Sequence, residues 1–263
     1  MKLNYALMDP TGNMTVLVES PVEIEDQPRC AAALLASEPA AEQVGFISPG
    51  VGGADTALRM AGGEFCGNAA MSAAALHCLR RGIRGPATLR LRVSGAPECV
   101  TVAVAPGAQG GFACTADMPR CAAPEEVSLA LDGRTYRLPL LRFDGIAHLM
   151  LPGDFDRAAA EAAAPQWCAL LGVEALGLML LDAPAGRMTP LVYVRGGDTL
   201  YWERSCASGS AAAGAYLAWR SGEKTEVNLA QPGGILRVSA LPEGEITLRG
   251  NVRLHHVGEL CLE

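Results

Sequence analysis

Hydrophobic and polar residues alternate in short runs along most of the chain, and Ala- and Leu-rich stretches separate these runs. Alternation with a period of two is typical of β-strands, whereas apolar residues three and four positions apart are typical of helices. The pattern predicts helices over 26–37, 70–81, 155–171 and a stretch that ends at 219. This mixture of strands and helices indicates an α+β fold. The predicted strands are 3–7, 14–19, 44–48, 56–60, 88–93, 99–104, 138–142, 147–151, 176–181, 191–194, 199–202, 226–229, 235–239, 245–250 and 252–256.

The order of these elements occurs twice along the chain. Each half has a strand pair, a helix, further strands, a turn that contains a cysteine, a second helix and closing strands. Self-similarity of this kind indicates an internal repeat. We therefore expect two similar halves, 1–118 and 119–263, with the two cysteine turns at corresponding points.

Composition excludes several classes of protein. Hydrophobic residues make up 50% of the chain and charged residues 19%, which favours a compact fold. The net charge is −7 and no cluster of Lys or Arg is present, so we expect no binding to nucleic acid. No apolar run reaches the roughly 18 residues of a membrane span, so we expect no membrane association. The N-terminal residues lack the pattern of a signal peptide, which favours a cytoplasmic location.

The numbers and positions of the cysteines and lysines argue against disulfides, a metal site and a pyridoxal phosphate cofactor. Nine cysteines without a signal peptide argue against a disulfide framework. The sequence has no C-x-x-C pair, and the spacing of Cys66, His77 and Cys78 fits no zinc pattern, so no metal is expected. Only Lys2 and Lys224 are lysines, and neither lies in a segment suited to hold pyridoxal phosphate as a Schiff base. We expect no cofactor.

Two cysteines stand at predicted turns between a strand and a helix. The turns are Cys66-Gly67-Asn68-Ala69 and Cys206-Ala207-Ser208-Gly209-Ser210. The first turn of a helix offers N–H groups without intrahelical acceptors and the positive end of the helix dipole. Such a site binds a carboxylate and lowers the pKa of a neighbouring thiol. Two buried structural thiols are the alternative, but their matching places in the repeat favour a site with one sulfur on each face of a substrate α-carbon.

These turns resemble the catalytic motifs of the diaminopimelate epimerase superfamily, the cofactor-independent amino-acid racemases and epimerases. The resemblance covers nearly the whole chain. The turn over 8–14 is similar to the N-terminal substrate-binding turn of the family, whose asparagine matches Asn13. The segment 145–148 resembles Gly-Asn-Pro-His, and Glu203-Arg204 followed by Cys206-Ala207-Ser208-Gly209 resembles the second catalytic motif. The family implies a curved, mostly antiparallel sheet around a central helix in each half, with the active site in the cleft between the halves.

The resemblance also implies roles for individual residues. Cys66 and Cys206 are expected to be the acid/base pair. For Asn13 a plain turn residue is the alternative, and for His148 a hydrogen-bonded histidine within a strand. Glu203 is expected either to receive the α-ammonium group or to position Cys206. The expected substrate-binding residues are Asn13, Gly67, Asn68, His148, Glu203, Arg204, Ala207, Ser208, Gly209 and Ser210.

Departures from the family pattern bear on the substrate. Ile146 replaces an asparagine that binds the distal end of diaminopimelate, and Thr189-Pro190 replaces a second one. These losses leave no site for a second amino-carboxylate group, so a single-headed amino acid is expected. The run 62–69 is most similar to the histidine racemase branch, which makes L-histidine the first candidate.

Other functions stay open from the sequence alone. They are a diaminopimelate epimerase or another amino-acid epimerase, a related isomerase, a non-catalytic amino-acid-binding protein and a thiol-based redox sensor. The expected partner is a small amino-acid substrate, and a homodimer is left open.

Overall fold

The computed structural model describes residues 1–262, with the side chain of residue 109 excluded. Within these residues the chain forms four α-helices and sixteen strands, which confirms the α+β class. The helices are α1 (Gln27–Ser37), α2 (Gly67–Arg81), α3 (Arg157–Leu171) and α4 (Ala207–Ser221). The strands are β1 (Lys2–Pro10), β2 (Thr15–Val18), β3 (Gln43–Pro49), β4 (Thr56–Met60), β5 (Ala87–Val93), β6 (Val100–Pro106), β7 (Phe112–Met118), β8 (Glu125–Leu131), β9 (Arg134–Phe143), β10 (Ile146–Pro152), β11 (Ala175–Asp182), β12 (Arg187–Val194), β13 (Thr199–Trp202), β14 (Thr225–Gln231), β15 (Gly234–Ala240) and β16 (Ile246–Cys261).

The largest differences from the sequence-based prediction concern three strands. The alternation pattern missed β7 and β8, and it predicted two strands where β16 is continuous. The predicted break fell at Asn251. The strand continues there because Asn251 is paired to the turn after β1: the N–H of Thr11 donates to the carbonyl of Asn251 at 2.9 Å, and the N–H of Asn251 donates to Thr11 Oγ1 at 3.1 Å.

The chain divides into two compact units. The first is Met1–Asp117 together with the chain from Arg249 onward, and the second is Met118–Leu248. The sequence repeat predicts that all of 119–263 forms one half. The chain from Arg249 onward clusters with the first unit instead, because β16 pairs antiparallel with β1 from Lys2 to Pro10.

In the first unit the strands follow one another from β1 through β7 to β16, and β16 pairs back onto β1. Helix α2 contacts β1, β2, β4, β5 and β6. Its body is rich in alanine and almost wholly buried, because small side chains let a helix lie close to the strands around it. Gly82 ends the helix in the left-handed conformation, at φ 66°.

In the second unit the strand order is β15, β14, β12, β11, β10, β9 and β8, and β13 pairs with β12. Helix α3 packs against β8, β11 and β12 around Trp167, which is fully buried and donates its indole N–H to the carbonyl of Ala130 at 2.9 Å. Helix α4 contacts β14, β15, β11, β10 and β9 with a buried face of alanine and glycine. The second cysteine turn therefore lies at the start of a helix that packs against several strands.

Candidate active site

Cys66 is the N-cap residue of α2. Its backbone is extended, at φ −133° and ψ 114°, and its sulfur accepts the N–H of Ala69 at 3.4 Å. Its carbonyl accepts the N–H of Ala70 at 2.9 Å. A thiol thus fills the position where serine, threonine or aspartate is usual, at the positive end of the helix dipole.

A chain of hydrogen bonds connects the Cys66 thiol to a carboxylate. Cys66 Sγ donates to Gln43 Oε1 at 3.2 Å. Gln43 Nε2 in turn donates to Asn13 Oδ1 at 2.6 Å and to Thr15 Oγ1 at 2.7 Å. Asn13 Nδ2 donates to Glu42 Oε2 at 2.6 Å. Asn13, which is 5% exposed, is therefore linked to the thiol through Gln43.

Gly67 and Asn68 form the first two positions of α2, and both are buried. N–H groups at these positions have no acceptor within their own helix. The structure thus places the two residues predicted from the Cys-Gly-Asn motif directly beside Cys66.

Cys206 is the N-cap residue of α4, with the same geometry. Its backbone lies at φ −113° and ψ 111°, and its sulfur accepts the N–H of Gly209 at 3.3 Å. Its carbonyl accepts the N–H of Ser210 at 3.0 Å and the hydroxyl of Ser210 at 2.6 Å. The Ser208 hydroxyl lies 3.7 Å from the sulfur.

Burial, first of all, raises the pKa of the Cys206 thiol well above its usual value. The Glu203 carboxylate adds to this, both through its charge and by accepting a hydrogen bond from the thiol. The N–H of Gly209 and the hydroxyl of Ser208 act in the opposite direction, because they stabilise the thiolate. Cys206 is therefore a protonated thiol at neutral pH, next to a carboxylate that accepts its proton in a hydrogen bond.

Gln231, at the end of β14, contacts the backbone of Cys206. Its Oε1 accepts the N–H of Cys206 at 2.9 Å, and its Nε2 donates to Ser210 Oγ at 2.8 Å. In the turn that follows, the N–H of Gly233 donates to the carbonyl of Arg204 at 2.6 Å. The hairpin of β14 and β15 thus holds the segment before α4 at two points.

His148 lies on β10 and is fully buried. Gly177 pairs with it on β11, and a Cβ at that glycine would lie 2.2 Å from His148 Nδ1. The ring of Phe143 meets the imidazole edge to face at 5.9 Å. Within residues 1–262 neither ring nitrogen has a hydrogen-bond partner, and burial lowers the pKa of His148 to about 3. The side chain is thus a neutral imidazole, and no hydrogen bond holds it within the strand.

The remaining predicted residues of the second turn lie around Cys206. Ala207 and Ser208 are the first two positions of α4, and Arg204 is exposed two residues before the cysteine. A Cβ at Gly209 would lie 2.2 Å from Met179 Sδ and 3.1 Å from the Cys206 sulfur, so a side chain at this position requires one of these groups to shift.

Three polar residues of these hydrogen-bond networks are not predicted from the sequence. Glu42 and Gln43 precede the buried part of β3, and Gln231 ends β14. In each case the available signal was a polar side chain at the end of an apolar strand, which alone does not separate a site residue from a surface one.

Within residues 1–262 no group of three or more His, Cys, Asp or Glu side chains is arranged to hold a metal ion. No disulfide bond joins any of the cysteines in that range. No helix there is long and apolar enough to cross a membrane.

Comparison with known proteins identifies relatives over most of the chain. The model of the histidine racemase CntK N-terminal domain matches residues 2–260. A histidine racemase from Fusobacterium nucleatum is 30% identical, covering 99% of this chain and 97% of that protein. One from Staphylococcus aureus is 26% identical, covering 90% of this chain and 88% of that protein.

Solved structures share the fold. A predicted epimerase from Pseudomonas aeruginosa superposes with a TM-score of 0.75 at 18% identity, covering 99% of this chain and all 100% of the other. A hydroxyproline epimerase from Agrobacterium vitis gives a TM-score of 0.74 at 13% identity, covering 99% and 93%. The resemblance found from the two cysteine turns is thereby confirmed. Together with the match over residues 2–260, it shows that the chain belongs to the histidine racemase family.

Proposed function

We propose that this protein interconverts L- and D-histidine without a cofactor, using Cys66 and Cys206 as its two bases. The observation that carries the proposal is the matched geometry of the two caps. Each sulfur accepts the N–H three residues on, at 3.4 Å and 3.3 Å, and each cysteine carbonyl accepts the N–H four residues on. Two thiols at two helix N-termini suit proton transfer beside a carboxylate.

The reaction exchanges one proton for another at the α-carbon. A thiolate removes the α-proton from one face, and the electron pair of the broken C–H bond delocalises into the carboxylate. The other residue, as a thiol, delivers its proton to the opposite face, which forms the new C–H bond. Fixed N–H groups around the carboxylate stabilise the negative charge that develops there. The two cysteines exchange roles for the reverse reaction.

The contacts around Cys206 limit which N–H groups are available to bind the substrate carboxylate. In α4 the N–H of Gly209 is bonded to the sulfur, and that of Ser210 to the cysteine carbonyl. The N–H groups of Ala207 and Ser208 have no acceptor within the helix. We assign the carboxylate to these two groups and to their counterparts at Gly67 and Asn68. Gly209 and Ser210 then shape the turn instead of contacting the substrate.

We assign Glu203 as the group that accepts the thiol proton of Cys206. Because the thiol is protonated at neutral pH, Cys206 can act as a base only after its proton moves elsewhere. The carboxylate that already accepts a hydrogen bond from that thiol is suited to take it. This contact favours a role of Glu203 at the Cys206 thiol over binding of the α-ammonium group.

Substrate contacts are proposed for Asn13, His148 and Arg204. Asn13 is tied to the Cys66 network, and Arg204 offers an exposed guanidinium two residues before Cys206. His148 is a neutral imidazole whose ring nitrogens have no partner among the described residues, which suits a group that hydrogen-bonds within a site.

Histidine is proposed as the substrate on two grounds. Relatives over nearly the whole chain are named histidine racemases. In addition, Ile146 and the Thr189-Pro190 segment stand where diaminopimelate epimerases have asparagines, and an unpaired charged head would be costly to bury.

The test is racemisation by the purified, reduced protein without added cofactor. Each L-amino acid is incubated in deuterated water, and α-proton exchange is followed by NMR and chirality by chromatography. We expect kcat/KM for L-histidine to exceed that for LL-diaminopimelate and L-proline by at least about tenfold. Cys66→Ser and Cys206→Ser should each lose at least about 1,000-fold in kcat, because a serine hydroxyl is a far weaker acid than a thiol and does not ionise to act as the base.

Cys261→Ser is the matched control, because that cysteine is exposed near the C-terminus, and it should keep full activity. Full activity in either of the other serine variants would remove the two-thiol mechanism. A preference for diaminopimelate would overturn the argument from Ile146, and the absence of any racemisation would leave an amino-acid-binding protein.

A further inference from the structure

Gln231 and Ser210 enclose the backbone of Cys206 in a ring of hydrogen bonds. The amide N–H of Cys206 donates to Gln231 Oε1 at 2.9 Å. Gln231 Nε2 donates to Ser210 Oγ at 2.8 Å, and Ser210 Oγ donates to the Cys206 carbonyl at 2.6 Å. Both side chains are buried, with Gln231 8% exposed. The amide and the carbonyl of one residue are thus fixed together.

This ring replaces a contact that helices usually make locally. In a capping box, a glutamate or glutamine three residues after the cap accepts the N–H of the cap residue. In α4 that third residue is Gly209, which has no side chain to offer. A Cβ at this position would lie 2.2 Å from Met179 Sδ and 3.1 Å from the Cys206 sulfur. The carboxamide that completes the cap comes instead from β14, 25 residues away in sequence.

The consequences for the thiol follow from this geometry. Fixing both backbone polar groups of Cys206 fixes its φ and ψ, and with them the direction of the bond that carries the sulfur. The cap N–H is also fully used, so it does not compete with the N–H groups of Ala207 and Ser208 for a substrate carboxylate. A small error in the sulfur's position would slow proton transfer much more than it would weaken substrate binding.

We propose that Gln231 is a positioning residue for Cys206, acting through the cap amide and Ser210. The proposal rests on the proposed function of Cys206 as an acid/base in racemisation. Because both polar atoms of the Gln231 side chain are engaged by Cys206 and Ser210, we expect no contact between this side chain and the substrate. Its effect is expected on kcat, with KM little changed.

The first experiment compares Gln231→Met, which keeps the length and loses both hydrogen bonds, with Gln231→Glu, which keeps an acceptor for the cap N–H. We expect Gln231→Met to lower kcat by about 100-fold, with KM within about threefold of the wild-type value. Gln231→Glu should recover part of the lost kcat. Because its added negative charge raises the pKa of a neighbouring thiol, its activity should extend to higher pH on the alkaline side of the profile.

The second experiment needs no turnover. In protein labelled with ¹⁵N-cysteine, hydrogen exchange at the Cys206 amide reports the bond to Gln231. The amide should be protected in the wild type and in Gln231→Glu, and should exchange at least about tenfold faster in Gln231→Met. A wild type that binds histidine but does not racemise it would refute the proposed function, and this exchange pattern would still test the cap.

Asn228→Leu is the matched control, because Asn228 is an exposed polar residue on the same strand, and it should keep wild-type kcat and exchange. An unchanged kcat in Gln231→Met, or an unprotected Cys206 amide in the wild type, would overturn the proposal. If Gln231→Met does not fold, the pH profile of Gln231→Glu is the test. An alkaline limb at the same pH as in the wild type would overturn the proposal.

Discussion

His148 couples the stability of the protein to pH through its burial. The folded chain holds the imidazole with a pKa of about 3, whereas the ordinary value is 6.5. Below pH 6.5 the unfolded chain takes up a proton that the folded chain does not, so stability falls as the pH falls toward 3. Between pH 7 and pH 5 the expected loss is about 2 kcal/mol.

We predict that His148→Leu removes this loss. Urea unfolding of the wild type and the variant at pH 7 and pH 5 gives the free energy of unfolding at each pH. The variant should lose about 2 kcal/mol less on acidification than the wild type, whatever its stability at pH 7. His255→Gln, which removes an exposed histidine, should keep the wild-type dependence. Equal acid losses in the wild type and His148→Leu would show that His148 does become protonated in the fold.

The two cap cysteines could be singled out from the sequence as candidates because each lies in a short motif whose chemistry is local. The side chains that hold them could not. Gln43 reaches Cys66 from 23 residues away, and Gln231 reaches Cys206 from 25 residues away. These contacts depend on which strands pass beside each helix start, and local spacing carries no information about that. His148 was predicted as a candidate, but its complete burial became apparent only in the fold.

The first turn of α4 depends on close packing as well as on hydrogen bonds. Gly209 donates its N–H to the Cys206 sulfur and leaves room for the Met179 thioether. We predict that Gly209→Ala displaces the sulfur or Met179, because the new methyl group would overlap Met179 Sδ. The expected result is a loss of at least about tenfold in kcat, with the helix content unchanged by circular dichroism.

Gly196→Ala is the control for this substitution, since nothing lies within 4 Å of the added Cβ there. It should keep wild-type kcat. The double variant Gly209→Ala/Met179→Ala, in which the overlapping Met179 side chain is shortened, should recover part of the lost activity. Wild-type kcat in Gly209→Ala alone would mean that the thioether moves aside freely and that the turn tolerates a side chain.

The elements with strong periodicity were predicted well, and the exceptions have physical causes. β4 and β13 have the predicted bounds, and α2 differs only in starting at Gly67. β7 consists mainly of small residues with little contrast between its faces, so its strand conformation comes from pairing with β6. β8 begins with two glutamates after a stretch that resembles a linker, and pairing with β9 orders it.

In the first unit, strand pairing brings the two ends of the chain together. The Met1 amino group donates to the carbonyl of Leu262 at 2.6 Å, and the N–H of Leu262 donates to the carbonyl of Met1 at 2.8 Å. Lys2 pairs with Glu259 at 2.9 Å. β16 therefore completes a path of paired strands that begins at β1, and a short connection between the ends would cost little conformational strain.

This proximity predicts that the protein tolerates circular permutation. With the ends joined by a short Gly-Ser linker, new ends opened between Gly52 and Gly53 lie in an exposed turn between β3 and β4. That permutant should fold and keep kcat within about threefold of the wild type, because no strand pairing and no cap contact is cut. Opening the same joined chain between Glu64 and Phe65 frees the segment that leads into the Cys66 cap, and kcat should fall by at least about 100-fold. Circular dichroism and histidine racemisation measure both.

If the Gly52 permutant fails to fold while the open chain with the same linker at its C-terminus folds normally, then the pairing of the two ends does not permit their connection. If the permutant opened at Glu64 is fully active, the Cys66 cap does not need the preceding loop to hold the thiol.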